Sequence, residues 1–376
     1  MINTERLKTF FLELASIESP SRKEGRLARY LKEKFESLGA KCLFDNSSTK
    51  TGSEVDNLFV KINPSRRPLL FFAAHMDTVE PCSSPKIIFE NNVFRTDGRT
   101  ILGADDKSAI AILLEIAHIL KEKGLDIPVE FVFTTCEEIG LLGAKYLDYS
   151  LLNAPFGYAL DSEDPEDLIN KAPEAIRFKI KVLGKAAHAG INPEAGINAI
   201  KLAAQALVGI NLGRIDPETT ANIGLIKGGQ ATNIVPEEVV LEGEVRSHSH
   251  EKLEKQWKHI LSNFQQVEEN YPKMEQDRPR IQYEKRQDYP LMSVPKEHQA
   301  IKLAMEAAQK ISHHLRLTIT GGGSDANIFN AQGFPCVILG TGMRKVHSTE
   351  EYLPFDDFMK ACRLSLEILL TAARQS

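Results

Sequence analysis

The sequence has no run of apolar residues near the ~20 that a membrane-spanning helix needs, no CxxC pair and no excess of positive charge. Each absence removes a class of protein. Lys and Arg number 46 against 51 Asp and Glu, a formal net charge of -5, so no general basic field gathers a polyanion. Nucleic acid and membrane lipid are therefore not expected partners. The five cysteines, Cys42, Cys82, Cys136, Cys336 and Cys362, are odd in number and scattered, which reads as reduced thiols in a cytoplasmic protein. Cys136 follows the apolar run 129–135 and is expected to be a buried structural thiol rather than a nucleophile. Residues 1–10 mix Glu5, Arg6 and Lys8 with apolar neighbours and lack the apolar stretch of a secretory signal. Internal repeats and low-complexity tracts are also missing, which sets aside solenoids and scaffolds.

What is present is the texture of an α/β protein. At 376 residues the chain exceeds the size at which one core stops growing, so two domains are expected. Helical periodicity in Leu7, Phe10, Phe11 and Leu14, and in Leu27, Leu31, Phe35 and Leu38, precedes short apolar runs at 57–62, 69–74, 129–135 and 158–160. Such runs predict a mainly parallel sheet covered by helices, with a long helix at 108–123. From Ala175 the pattern becomes strict alternation, Ile176, Phe178, Ile180 and Val182, as in a strand with one buried face. The order β-α-β-β-α-β through 285 predicts an inserted α+β, ferredoxin-like domain over 174–287. The first domain then comprises 1–173 and 288–376.

Carboxylates and histidines concentrate where the predicted strands end, the usual place for a site in an open α/β sheet. His75 and Asp77 follow one strand, suiting a metal ligand and its orienting partner. Asp105 and Asp106 precede the long helix; one acid would suffice for a cap, and two repel unless a cation compensates them. Glu137 and Glu138 end another strand and can divide labour, one holding metal while the other moves a proton. Asp161 closes a fourth strand, and His347 follows a late one. Each segment alone has an ordinary explanation in a satisfied pair, a cap or a solvated loop. Together they supply the nitrogen and oxygen donors that zinc, cobalt or manganese accept. Gly321-Gly322-Gly323-Ser324-Asp325 is dense enough in glycine for its backbone to approach a carboxylate or carbonyl, and it lacks the lysine of a phosphate loop. His188 sits among small residues in Gly184–Gly190, while Asn233 and Arg246 belong to the inserted domain.

These segments resemble the M20 metallopeptidases, and within them the peptidase T-like branch. The resemblance runs the length of the chain. It is carried by His75-Met76-Asp77-Thr78-Val79, Leu102-Gly103-Ala104-Asp105-Asp106-Lys107, Glu137-Glu138, Tyr158-Ala159-Leu160-Asp161-Ser162, Gly184–Gly190, Gly321–Ala326 and Val346-His347-Ser348-Thr349. It implies two divalent metal ions, most simply zinc, with cobalt and manganese as substitutes. Asp105 would serve both ions, Glu138 and His347 completing one site and His75 and Asp161 the other. Asp77 would orient His75, and Glu137 would be the general base. The resemblance further implies a cis peptide between Asp105 and Asp106 and makes the inserted domain a lid and dimerisation domain. Substrate contacts would come from His188, Asn233, Arg246, Gly322, Gly323 and Ser324, His188 acting within its own subunit or across a homodimer. Ser108-Ala109 departs from the small residue and glycine common in relatives, without touching a ligand.

The expected activity is release of the N-terminal residue from short peptides such as tripeptides. An amidohydrolase of N-acyl amino acids and a carboxypeptidase are alternatives on the same centre. A metal-loaded binding protein without catalysis is a third, and the retained Glu137 argues against it.

Overall fold

A computed structural model describes residues 1–272 and 278–376. Residues 273–277, inside the expected insertion, lie outside the described residues. The chain divides into two compact units: Met1–Ala172 with Met292–Thr320 and Ser324–Ser376, and Pro173–Leu291 with Gly321–Gly323. The return from the second unit comes at Met292 rather than 288, because the strand Arg280–Tyr289 stays paired along Glu174–Leu183 to its end.

The first unit is built on a nine-stranded sheet. Through its centre Val129–Thr134, Phe71–His75, Gly157–Ser162 and Cys336–Gly340 run parallel, as expected from continuous apolar runs. Antiparallel strands extend it on both sides, Leu58–Ile62 and Lys41–Phe44 beyond one edge and Asp167–Ala172 and Met292–Ser293 beyond the other. Arg316–Ile319 pairs parallel with Asp167–Ala172. Side-chain alternation gives each sheet face its own core. Phe72 and Ala74 pack with the helices Thr4–Ala15, Gly25–Ser37, Ala104–Glu122 and Phe355–Gln375, while Phe71 and Ala73 pack with Phe329 of the helix Asp325–Ala331. The helix expected at 108–123 is present within Ala104–Glu122, its regular turns following the non-helical backbone of Asp105 and Asp106, and all residues from Ala104 to Ala117 are buried. A small antiparallel sheet of Ile87–Glu90, Val93–Thr96 and Tyr352–Pro354 stands apart from the large one.

The turn after Val129–Thr134 carries two of the acids and is tightly closed. Gly143 donates its N–H to the Thr135 carbonyl at 2.9 Å, and Leu142 to that of Cys136 at 3.0 Å. Buried Asn57 braces both sides, donating to the Gly143 carbonyl at 3.0 Å and accepting from the Thr135 N–H at 3.0 Å. A Cβ on Gly143 would lie 2.2 Å from the Thr135 oxygen and 2.7 Å from Asn57 Oδ1. Gly143→Ala is therefore expected to cost about 1–3 kcal/mol of stability, read as a lowered midpoint of urea unfolding. An unchanged midpoint would mean the turn relaxes without cost.

The second unit is a five-stranded antiparallel sheet in the order Gly213–Asp216, Thr219–Gly228, Glu238–Ser247, Glu174–Leu183, Arg280–Tyr289. The helices Ala199–Val208 and His250–Glu269 cover one face. Ile176, Phe178, Ile180 and Val182 meet Leu202, Trp257, Ile260 and Phe264 there, the alternation read from the sequence. Gly213–Asp216 is an edge strand added to the expected six elements.

Candidate metal centre

His75 is the last residue of its strand, and its N–H donates to Asp106 Oδ2 at 3.2 Å. Its Nε2 lies 2.9 Å from Asp105 Oδ1 and 4.0 Å from Asp161 Oδ1. His347 Nε2 lies 3.2 Å from Asp105 Oδ2 and 3.0 Å from Glu138 Oε2. Asp105 thus turns one carboxylate oxygen to each imidazole. Two triads result, His75–Asp105–Asp161 and Asp105–Glu138–His347, each with donor atoms within 4.8 Å of one another. All five expected ligands meet here. A third group with the same spacing, His75–Glu137–Glu138, brings Glu137 to the same cluster. The Asp105–Asp106 peptide is cis. Cys136 and His347 take left-handed backbone conformations, φ 54° and 61°, which non-glycine residues adopt mainly where surrounding structure imposes them.

Divalent cations fit this donor set. Burial pushes Glu137, Glu138, Asp161 and Asp106 above the ordinary carboxylate range, and Asp325 up to about 6. Hydrogen bonds to Asp105 and then Glu138 draw His347 up to about 10. Burial works against ionised Asp105, yet His347 and His75 hold it below its usual range. Ionised together, so many acids would carry more negative charge than two imidazoles balance, which a cation would offset. Glu138 Oε1 is buried with no hydrogen-bond partner among the described residues, an orphaned acceptor that a cation would satisfy. Nitrogen and oxygen donors in this ratio suit zinc, cobalt and manganese alike.

Residues 57–165, which hold every acid of the two triads and His75, match the family model described as peptidase family M28. Residues 172–272 match the one described as peptidase dimerisation domain. The chain is 38% identical to the uncharacterized protein YqjE of Bacillus subtilis (strain 168) over 100% of both chains. A solved tripeptidase from Staphylococcus aureus subsp. aureus Mu50 superposes with a TM-score of 0.94 at 38% identity, covering 100% of each chain. Aminopeptidase PepT from Bacillus cereus ATCC 10987 follows with 0.90 at 36% identity and 99% coverage of each. The chain belongs to the M20 peptidase family. Full-length similarity assigns it there; the M28 match spans only part of the first unit.

In this peptidase Asp77 lies beside the His75 ring, where the expected orienting role would place it, and it also holds the backbone of the paired acids. His75 Nδ1 is 2.9 Å from the Asp77 backbone carbonyl and 3.6 Å from its carboxylate. The carboxylate also accepts the N–H groups of Glu137 at 2.9 Å and Glu138 at 3.2 Å, with the Ser21 hydroxyl at 2.6 Å. It therefore sets the backbone of the paired acids. Glu24, missed in the sequence, works beside it. Fully buried, it accepts the Cys136 N–H at 3.0 Å, the Arg22 N–H at 2.9 Å and the Ser53 hydroxyl at 2.6 Å. Asp325, to which the sequence assigns no role beyond its place in the glycine segment, is buried and accepts a hydrogen bond from Thr134.

The expected substrate residues of the M20 peptidase divide. Within the inserted unit, His188 and Asn233 are exposed neighbours: His188 bridges Ile234, and the Asn233 carbonyl accepts the Ala189 N–H at 2.9 Å. Arg246 binds Glu244 at 2.9 and 3.1 Å, lies 6.0 Å over the Tyr289 ring and reaches the Gly321 carbonyl at 3.5 Å. Gly322 lies in that same loop. Gly323 packs against Tyr289, where a Cβ would meet the ring at 2.5 Å. Ser324 differs: its hydroxyl caps the helix Asp325–Ala331, in a reciprocal box with Asn327.

Proposed function

We propose that this peptidase is a dinuclear-metal aminopeptidase that releases the N-terminal residue of short peptides, tripeptides foremost. The observation that carries the reading is Asp105, one oxygen toward each histidine, with Glu137 beside it. Asp105, His75 and Asp161 would hold one ion, and Asp105, Glu138 and His347 the other, zinc being the first candidate. Such ions, when bound, polarise a scissile carbonyl and help water to ionise. Glu137 takes the proton of the attacking water and passes it to the leaving amine. Asp77 and Glu24 keep Glu137 in place through the backbone of its turn. His188, Asn233, Arg246 and the loop containing Gly322 and Gly323 supply donors for the peptide's carbonyl and carboxylate groups; the Ser324 backbone completes that loop. The names of the two similar structures, a tripeptidase and an aminopeptidase, support the substrate class.

The inserted unit is proposed to pair with a second copy, supported by the dimerisation-domain match at residues 172–272. The cytoplasm is the proposed compartment, supported by five free cysteines. Among the described residues no helix is long and apolar enough to cross a membrane.

The test is a panel of tripeptides, dipeptides, N-blocked peptides and N-acyl amino acids, assayed before and after chelation. Tripeptides with a free amino terminus are expected to be cleaved best, with activity lost on chelation and restored by zinc, cobalt or manganese. Preference for N-acyl substrates, or release of the C-terminal residue, would replace the aminopeptidase reading. Hydrolysis that survives complete metal removal would end the dinuclear mechanism.

A further inference from the structure

The backbone that leads into the long helix is irregular: Gly103 sits at φ 71°, and Asp105 and Asp106 have non-helical φ/ψ before the regular turns begin. Buried amides in such a segment have no helical partner and need an acceptor. Here it comes from the far end of the chain. Glu351, 1% exposed, accepts the N–H groups of Leu102 at 2.8 Å and Gly103 at 2.7 Å on one oxygen, and that of Asp105 at 3.0 Å on the other.

The same residue belongs to the segment that carries His347. Reciprocal backbone bonds between Arg344 and Tyr352, at 2.9 and 3.1 Å, close a loop around His347. Glu351 is the last residue of that loop before the strand Tyr352–Pro354, and its N–H donates to the Ser348 carbonyl at 3.1 Å. One carboxylate therefore ties the backbone presenting Asp105 to the loop presenting His347. These two side chains face each other at 3.2 Å.

We propose that Glu351 is a positioning residue of the metal centre, fixing the Leu102–Asp105 backbone so that Asp105 can turn one oxygen to each histidine. The proposal rests on the reading of Asp105 as the ligand shared by two ions. The side-chain bonds of Glu351 go to backbone amides. Its effect passes through three amides, and a glutamine in its place presents one acceptor oxygen and an NH2 group that opposes an N–H.

The experiment titrates metal-free protein with cobalt(II), following the ligand-field absorption, for wild type, Glu351→Gln and Glu115→Gln. Glu115 lies in the same helix, fully buried and bound to Arg6, so it controls for a loss confined to helix stability. Wild type is expected to take two equivalents. Glu351→Gln is expected to bind cobalt about 10- to 100-fold more weakly, the scale seen when an outer partner of a metal ligand is lost, and with an altered spectrum. Hydrogen exchange of the metal-free variant should be faster at 102–105. Glu115→Gln should lower the thermal midpoint and leave cobalt affinity unchanged. If Glu351→Gln binds two cobalt ions with wild-type affinity and spectrum, Glu351 only satisfies local backbone amides and the proposal fails. Should that variant not fold, Glu351→Asp keeps the charge with one methylene less, and is read by the same criterion. A wild-type protein that takes fewer than two equivalents refutes the shared-ligand reading, and this inference with it.

Discussion

Glu137→Gln is expected to retain both metal ions and to lose about 10²–10⁴ in kcat, the range associated with removing a positioned general base. The substitution is close to isosteric, and the bonds that hold the turn come from the backbone. Asp77 accepts the N–H of Glu137 whatever its side chain, and Glu24 holds the Cys136 N–H just before it. Loss of the charge is therefore separated from loss of the fold. Metal content measured after dialysis, beside kcat and KM on a tripeptide, decides between two roles that the geometry leaves adjacent. If metal stays and kcat falls at similar KM, Glu137 is the base. A variant that loses one ion would make His75–Glu137–Glu138, the third group with ligand spacing, the relevant one. Turnover near wild type would leave Glu137 without a role in proton transfer.

How far the sequence led depended on where each residue finds its partners. The central strands were legible because Phe71–His75 and Val129–Thr134 are buried on both faces, so their apolar runs are nearly unbroken. The histidines and acids at their ends stood out for the same reason: polar groups directly after such runs are conspicuous. Edge elements were harder. Asp167–Ala172 carries Asn170 and Lys171 among its apolar residues, and Asn170 is buried because its side chain donates to the Val294 carbonyl at 2.7 Å. The hairpin Ile87–Glu90 and Val93–Thr96 was also passed over, although Asn91 and Asn92, at φ 50° and 63°, are turn residues of the expected type. Glu24 and Glu351 were invisible for a different reason. The amides through which they reach the site are 112 and 246–249 residues away, and no local pattern marks a carboxylate that holds a distant main chain. Asp77 shows the limit of motif reading from the other side: its strand spacing suggests a partner for His75, 3.6 Å away, but gives no sign that the same carboxylate holds the N–H groups of Glu137 and Glu138.

Asp105→Ala is expected to empty both metal sites, where His347→Ala empties one. The asymmetry follows from the two oxygens of Asp105, one at 2.9 Å from His75 and the other at 3.2 Å from His347. Removing it leaves His75 with Asp161 on one side and His347 with Glu138 on the other, two ligands apiece where structural and catalytic zinc sites use at least three protein ligands. Each affinity should fall by more than the ~100-fold that marks loss of an outer partner. Burial makes the deficit larger, since it holds Glu138 and Asp161 toward their protonated forms, and a protonated carboxylate must release its proton before it can bind metal. The occupancy that remains in Asp105→Ala is accordingly expected to rise with pH. Metal counted per chain after dialysis, at two pH values, separates the outcomes. One tightly held ion in Asp105→Ala would show that Asp105 serves a single site, and loss of both in His347→Ala would show that the second ion cannot stay without the first.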